Sequence, residues 1–437
     1  MDQRRRLSAK LGAHARGATP PRSSLDTTRV SWRTSLGIAL ALSALSAACN
    51  PDDPNSLSGT SGSGGQCETS GPGATTSSGA GGDASSSSSG AGGGEAPDPT
   101  ILDQRKLDYH EALRTASLKL VNELPTMEQI RSLSNATDQE ARYAELVDEL
   151  MANPRFKLRM IEFWRNELRI GGTPARETAP TFAARITVEG RPYTDLFTSE
   201  ANTCPTFNGT DFVDGSCNNA TPTAGVLTNP GLLAHYDGNM AFRRVRFYQE
   251  VFSCRRQPSE FSATPIPMGA GDYTAPWPFD SIAGASNGGR IDFLDSSSAI
   301  CANCHATANH RAPLFAYFDA NGVQQATIQV RTPVDGVPLS VMGDWLPPGQ
   351  EQTAYKLGEP AANLLEMGQR MAADPEVQAC GVIRMWNFAM SKGDVVNDAA
   401  AVPTVVIEDL IEEFTLSGFN QRELLKSIFT HPDFVRF

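Results

Sequence analysis

A tract of glycine and serine divides the 437-residue chain and limits where a fold can form. Between residues 58 and 95, 24 of the 38 residues are Gly or Ser, and none is aromatic. Such a segment cannot bury enough apolar surface to offset the conformational entropy that ordering would cost. We therefore expect residues 49–100 to form a disordered tether, and the folded part of the chain to begin close to its end.

The segment that precedes the tether is typical of an export signal. Residues 36–48 form an apolar run that follows Arg29 and Arg33 and ends in small residues. The run is too short to span a bilayer, as in the core of a signal peptide. Its end resembles a bacterial lipobox, which implies that Cys49 is lipidated; the alternative is an ordinary cleaved signal. Residues 1–48 are thus predicted to be a signal peptide, and the protein to be anchored in the cell envelope, facing the periplasm or the cell surface.

The distribution of charge argues against nucleic acid as a partner. The chain has a net charge of -12, but residues 1–48 contain eight basic and only two acidic side chains. The remaining residues contain 29 basic and 47 acidic side chains. Because these residues carry a large negative net charge, we expect them to lack the basic surface that attracts nucleic acid or anionic lipid. We expect contact with the membrane through the lipid anchor.

Beyond the tether, hydrophobic periodicity predicts a mainly α-helical protein. Apolar residues recur at helical spacing from residue 105 to 124. Thr126 and Thr137 each precede a Gln or Glu by three residues, an arrangement that caps a new helix. Asn420 is predicted to cap the last helix in the same way. Other helices are predicted at residues 156–168, 240–252, 361–374 and 405–414.

These patterns divide the folded part into three regions. Residues 101–175 are predicted to be a helical N-terminal domain, residues 176–295 a loop-rich middle with a few short strands, and residues 296–437 an α-helical C-terminal domain. The middle region begins with a long segment rich in Thr, Pro, Asn and Gly that shows no sustained periodicity. Three arginines of its predicted helix are expected at the surface: Arg243, Arg244 and Arg246. The alternative is that one of them pairs with an acidic group of a ligand.

Four cysteines of the folded part can form disulfides in an oxidising compartment. Cys204 and Cys217 flank a short loop rich in Thr, Asn and Gly, and closing so local a loop is geometrically easy. We therefore predict a Cys204–Cys217 disulfide. Cys254 and Cys380 would then form a second bond, or be two separate buried thiols.

The segment CANCH, residues 301–305, carries the most specific chemistry in the chain. On a helical turn, Cys301 and Cys304 lie on one face and can add to the two vinyl groups of a haem, and His305 then provides an axial nitrogen to iron. Covalent attachment of this kind is made outside the cytoplasm, a condition that the export signal meets independently. We predict one covalent haem c. The alternatives are a Cys301–Cys304 disulfide and a zinc site that also uses His305 and His310.

Similarity to small cytochromes c suggests two further residues. In those proteins a proline shortly after the motif accepts a hydrogen bond from Nδ1 of the ligand histidine, which implies this role for Pro313. A methionine further along closes the opposite face of the haem, which implies Met342 as the second axial ligand. A vacant sixth position is the alternative. Met367 and Met371 are expected to be core residues at helical spacing, and His235 and His431 to be exposed-loop or packing residues.

Several short motifs resemble one family of exported proteins. The CANCH segment, residues 318–322 (FDANG), the ACGV around Cys380 and residues 417–420 (SGFN) resemble cytochrome-like domains of unknown function that are abundant in planctomycetes and myxobacteria. The segments NELPT and FWRN, from residues 122 and 163, resemble the partner domain found upstream in the same proteins. The resemblance implies a cytochrome c-like C-terminal domain, haem c and an envelope location. It implies no reaction.

Three functions are compatible with these features. The favoured one is an electron carrier that exchanges single electrons with redox partner proteins of the envelope. The second is a haem enzyme with an open iron site, although no constellation of catalytic residues stands out in the sequence. The third is a haem-free surface lipoprotein that binds a partner or a polymer. Whether the protein is an enzyme is therefore left open.

Overall fold

The structure is a computed structural model that describes residues 104–255, 299–331, 339–346, 349, 351–393 and 401–437. For residues 299–304 and 306 it describes only the helical backbone. The predicted signal peptide, Cys49 and the predicted tether lie outside the described residues. Within the described ranges, no helix combines the length and the apolar character needed to cross a membrane.

The N-terminal part contains five helices, each begun by local capping chemistry or a proline. They are α1 (Tyr109–Val121), α2 (Met127–Ser134), α3 (Gln139–Ala152), α4 (Arg155–Leu168) and α5 (Pro174–Glu189). The predicted capping box of Thr126 and Gln129 is confirmed, since each side chain accepts from the other residue's backbone N–H. The cap predicted at Thr137 is wrong by one residue. Asp138 is the cap of α3, and its carboxylate accepts from the N–H of Ala141 at 3.0 Å.

The middle part is more helical than its composition indicates. It contains α6 (Asp195–Thr198), a hairpin of β1 (Thr206–Phe207) and β2 (Phe212–Val213), α7 (Pro230–His235) and α8 (Phe242–Ser253). Helix α5 crosses the predicted boundary between residues 175 and 176. It escaped prediction because it is buried on nearly all sides from Ala179 to Val188, so no amphipathic stripe marks it, and because Pro180 lies inside it.

The C-terminal part contains the remaining helices and a second short hairpin. The elements are α9 (Ala299–Ala316), β3 (Ala354–Lys356), β4 (Glu359–Pro360), α10 (Leu364–Ala373), α11 (Pro375–Ala389), α12 (Thr404–Leu416) and α13 (Gln421–Thr430). The predicted cap of the last helix is confirmed, because Asn420 accepts from the N–H groups of Arg422 and Glu423. The expectation of a mainly helical protein is also confirmed.

The described residues of the three predicted regions share one hydrophobic core and one compact unit. The two ends meet where the backbones of Lys106 and Phe437 exchange two hydrogen bonds, at 2.8 and 2.9 Å. The Tyr143 hydroxyl, in α3, donates to the carbonyl of Phe429 in α13 at 2.8 Å. The boundaries predicted near residues 175 and 295 therefore do not separate independent domains within the described part.

Two disulfides reinforce this unit. Cys204 is bonded to Cys217, with Cα atoms 5.2 Å apart, as the short loop between them predicted. Cys254, at the end of α8, is bonded to Cys380 in α11, with Cα atoms 5.4 Å apart. The structure therefore contradicts the alternative that Cys254 and Cys380 are two separate thiols.

Candidate functional site

The CANCH segment lies in the first two turns of α9, which begins at Ala299. A helical backbone over residues 301–305 brings positions three apart to one side of the helix. The geometry of this backbone is thus the one that attachment of a haem through two neighbouring thiols requires. The side chains of Cys301 and Cys304 lie outside the described residues.

His305 is half-buried, and two neighbouring side chains contact its ring. Its Nδ1 lies 3.1 Å from the amide oxygen of Asn309, which is fully buried one turn further along α9. The Phe242 ring packs edge-on against the imidazole, with ring centroids 4.9 Å apart. Because an amide oxygen only accepts hydrogen bonds, this contact favours the tautomer with hydrogen on Nδ1. Nε2 is then the nitrogen that would bind a metal.

Burial sets the protonation state of His305. It lowers the pKa of the imidazole below its ordinary value, and the hydrogen bond to Asn309 opposes this effect only in part. The ring is therefore neutral at pH 7, and a neutral imidazole is the form that binds metals.

Asn309 makes the contact with Nδ1 of His305 that the resemblance to small cytochromes c implied for Pro313. Pro313 is eight residues beyond His305 in the same helix, a distance of about 12 Å along the axis. Its carbonyl cannot reach Nδ1 of His305 in this conformation, so the role expected of Pro313 is corrected. The i, i+4 spacing of His305 and Asn309 was the signal that could have identified the true neighbour.

His310 faces a different part of the fold. Its Nδ1 lies 2.6 Å from the backbone carbonyl of Gln352, whereas His305 packs against Phe242 at the start of α8. Five residues along a helix correspond to a rotation of about 140° between the two side chains. Because the two imidazoles face different parts of the fold, they do not converge on one ion, which disfavours the alternative of a zinc site that uses both.

Met342 lines a cleft beside the second half of α9. It begins a short 3-10 turn, Met342–Asp344. The Asp344 carboxylate caps this turn by accepting a hydrogen bond from the N–H of Val341 at 2.7 Å. The cleft has a volume of about 430 Å³, and its walls include Pro313 and Leu314. Two residues proposed near the haem, Pro313 and Met342, thus share one cleft, two turns beyond His305.

The other residues considered as ligands have structural roles. Met367 and Met371 are buried in α10, each with 1% of its surface exposed. The His235 ring packs edge-on against Tyr236. Nδ1 of His431 accepts a hydrogen bond from the N–H of Asp433 at 3.1 Å, which closes the corner after α13.

A buried arginine fixes the C-terminal end of α9. Arg244, in α8, is completely buried, so the prediction that it is a surface charge is wrong, whereas Arg243 and Arg246 are exposed. A cation at this position also complements the negative end of the helix dipole. Its guanidinium donates at 2.9 to 3.1 Å to the backbone oxygens of Phe315, Phe318 and Asp319 and, on the other side, to the Leu233 carbonyl and the Asp237 carboxylate.

A second buried arginine fixes the middle of the same helix. Arg311 donates to the carbonyl of Tyr355 in β3 and, at 3.3 Å, to the side chain of Gln249 in α8. Its guanidinium also lies 4.9 Å from the centre of the Tyr355 ring. Helix α9 is therefore positioned by charged hydrogen bonds on its flank as well as at its end.

Chemically, the site offers one neutral imidazole that is oriented by a buried amide and that directly follows the second cysteine of a CxxCH motif. Comparison of the chain with protein-family models, with curated proteins and with solved structures gives no match.

Proposed function

We propose that this protein is an exported, lipid-anchored c-type cytochrome that binds one covalent haem and transfers electrons in the cell envelope. The observation that carries the proposal is the CxxCH motif at the start of α9, in which the imidazole of His305 is half-buried and neutral. In this proposal Cys301 and Cys304 hold the haem through thioethers, and Nε2 of His305 binds the iron. When bound, the haem supplies one-electron redox chemistry.

The residues around His305 fit this role. Asn309 orients the imidazole through Nδ1 and increases its basicity, which is the usual contribution of a hydrogen-bonding partner behind a ligand histidine. Phe242 restricts rotation of the ring from the opposite element. Hydrogen bonds from Arg244 and Arg311 hold α9, the helix that carries His305. The imidazole therefore keeps its position when the charge of the site changes.

Met342 is the proposed second axial ligand. Its position on the cleft beside α9 gives its thioether access to the space along that helix. A thioether ligand raises the reduction potential of a haem, whereas an open position would permit binding of a small molecule. Replacing Met342 by Ala distinguishes the two. We expect the reduced spectrum to change from low-spin to high-spin if Met342 is the ligand, and to remain unchanged if it is not.

An absorption spectrum of the purified protein tests the proposal. The chain should be produced in a host with a cytochrome c maturation system, and the dithionite-reduced protein should show sharp α and β bands. Cys301→Ser and Cys304→Ser should impair covalent attachment, so haem staining on a denaturing gel should weaken or disappear. Cys67→Ser, outside the motif, is the matched control. Absence of a Soret band in the wild-type protein would instead favour the haem-free lipoprotein.

The proposed location depends on Cys49. Lipidation at that residue would hold the folded part on a tether on the order of 35 Å long, within reach of redox partners at the membrane. Cys49→Ser should therefore move the protein from the membrane fraction to the soluble fraction of the envelope. Retention of the variant in the membrane fraction would contradict the anchor but would leave the haem proposal standing.

A further inference from the structure

A second cleft, about 290 Å³ in volume, lies between α1, α4 and α11. Cationic side chains from all three helices and from the segment after α11 reach it, together with a single carboxylate. These charged lining residues are Lys119, Arg159, Arg384, Lys392 and Glu167. The concentration of positive charge contrasts with the acidic composition of the rest of the folded part.

The carboxylate in the cleft is already used by one of the cations. Glu167 is paired with Arg384, which is buried and also donates to the Glu250 carbonyl of α8. Arg159 donates through Nε to the Lys119 carbonyl at 2.9 Å and pairs through one Nη with Glu162 outside the cleft. Lys119 and Lys392 have no carboxylate within ion-pair distance among the described residues. Among the described residues that line the cleft, positive charge is therefore in surplus.

Two of these cations lie near the same aromatic ring. The Lys119 Nζ lies 5.4 Å from the centre of the Phe388 ring, and the Arg159 guanidinium lies 5.5 Å from it. Burial lowers the pKa of Lys119, and repulsion by Arg159 lowers it further. The attraction of each cation to the ring only partly offsets this repulsion. An anion in the cleft would offset it directly.

We propose that this cleft binds a phosphate group, either in a small soluble molecule or in a phospholipid headgroup. The ammonium groups of Lys119 and Lys392 are compact point charges of the kind that bind phosphate oxygens, and the guanidinium of Arg159 adds positive charge beside them. A cleft of this volume holds roughly ten water molecules, which suits a single phosphate group with a short substituent. The site is independent of the proposed haem function, because its lining residues do not come from α9.

Titration calorimetry of the purified full-length protein with inorganic phosphate and with glycerol 3-phosphate tests the soluble source. We expect saturable binding that Lys119→Gln weakens by about tenfold or more, the effect of losing one charge-assisted hydrogen bond. Lys392→Gln, at an exposed position, provides a second variant that leaves the core intact. Lys157→Gln on α4 is the matched control, because Lys157 pairs with Asp211 and does not line the cleft.

Flotation with phosphatidylcholine vesicles, with and without phosphatidic acid, tests the lipid source. These assays use protein with Cys49→Ser, so that the lipid anchor does not itself hold the protein to the vesicles. Vesicle binding that requires phosphatidic acid and is lost in both cleft variants would assign the site to a headgroup. The proposal would be overturned if the protein bound none of these probes, with the soluble phosphates tested up to millimolar concentration. It would also be overturned if neither Lys119→Gln nor Lys392→Gln weakened the binding observed.

Discussion

Removal of the Arg244 side chain is the perturbation for which the structure gives the clearest expectation. Arg244→Met keeps most of the volume of the side chain but removes every donor of the guanidinium. Four backbone carbonyls and the carboxylate of Asp237 then lose a hydrogen bond in or near the core. Three of those carbonyls lie in the last turn of α9 or within three residues after it, and α9 is the helix that carries His305.

The magnitude follows from the number of acceptors left behind. A buried acceptor without a partner costs about 1–3 kcal/mol, and breaking a buried charged interaction from one side costs about 3–5 kcal/mol. These effects overlap, because Asp237 is partly exposed and some carbonyls can shift towards water. We expect Arg244→Met to reduce the free energy of unfolding by about 4–6 kcal/mol, a large part of the total for a typical protein.

Urea unfolding followed by tryptophan fluorescence and far-ultraviolet circular dichroism measures this loss. Arg243→Met is the matched control, because its side chain is exposed on the same helix, and we expect a loss below about 1 kcal/mol. Arg244→Lys should fall between the two, since an ammonium cannot reach all the acceptors of the guanidinium fork. If the free energy of unfolding of Arg244→Met is within about 1 kcal/mol of the wild-type value, the hydrogen bonds of Arg244 contribute little to stability and the reasoning is refuted.

Three further predictions follow from other contacts. Gly368→Ala should lose about 1–3 kcal/mol because its Cβ would clash with a backbone carbonyl of α6, whereas Gly393→Ala, with open space, should be nearly neutral in the same urea assay. For Asp374, burial raises the pKa, but hydrogen bonds from Lys356 and a tyrosine hydroxyl outweigh it and hold the pKa below the ordinary 3.8. The stability that this carboxylate contributes is therefore complete at neutral pH, and the difference from Asp374→Asn should shrink as pH falls below about 4; a constant difference would contradict this pairing. Asn309→Leu should raise the reduction potential of the haem-loaded protein, measured by redox titration, because the ligand imidazole becomes less basic; an unchanged potential would exclude Asn309 as its partner.

Local chemistry made part of the fold predictable from the sequence. The cap at Thr126 and the cap at Asn420 depend on residues within three positions of each other, so a single sequence contains all the information. The Cys204–Cys217 bond was predictable for the same reason. At Thr137 the prediction failed by one residue, because Asp138 offers an equally good acceptor next to it.

Long-range contacts account for what the sequence did not reveal. Nothing near Arg244 indicates that carbonyls about 70 residues later will surround it, so its position among three arginines was not predictable. Helix α5 lacks an amphipathic stripe because it is covered on nearly all sides, by the preceding helix α4 and by α7 and α13, which are distant in sequence. At the candidate site, the position of His305 on a helix was predictable, but the choice of Asn309 rather than Pro313 as its neighbour depended on the continuous helical geometry of α9.

Peptide mass spectrometry tests the central claim most directly. Trypsin should release residues 291–311 as one peptide, which contains both cysteines of the motif and His305. In protein produced with a cytochrome c maturation system, we predict that this peptide carries the added mass of one haem. Recovery of the same peptide with free thiols or with an internal Cys301–Cys304 disulfide, while other cytochromes from that host are loaded, would contradict the account.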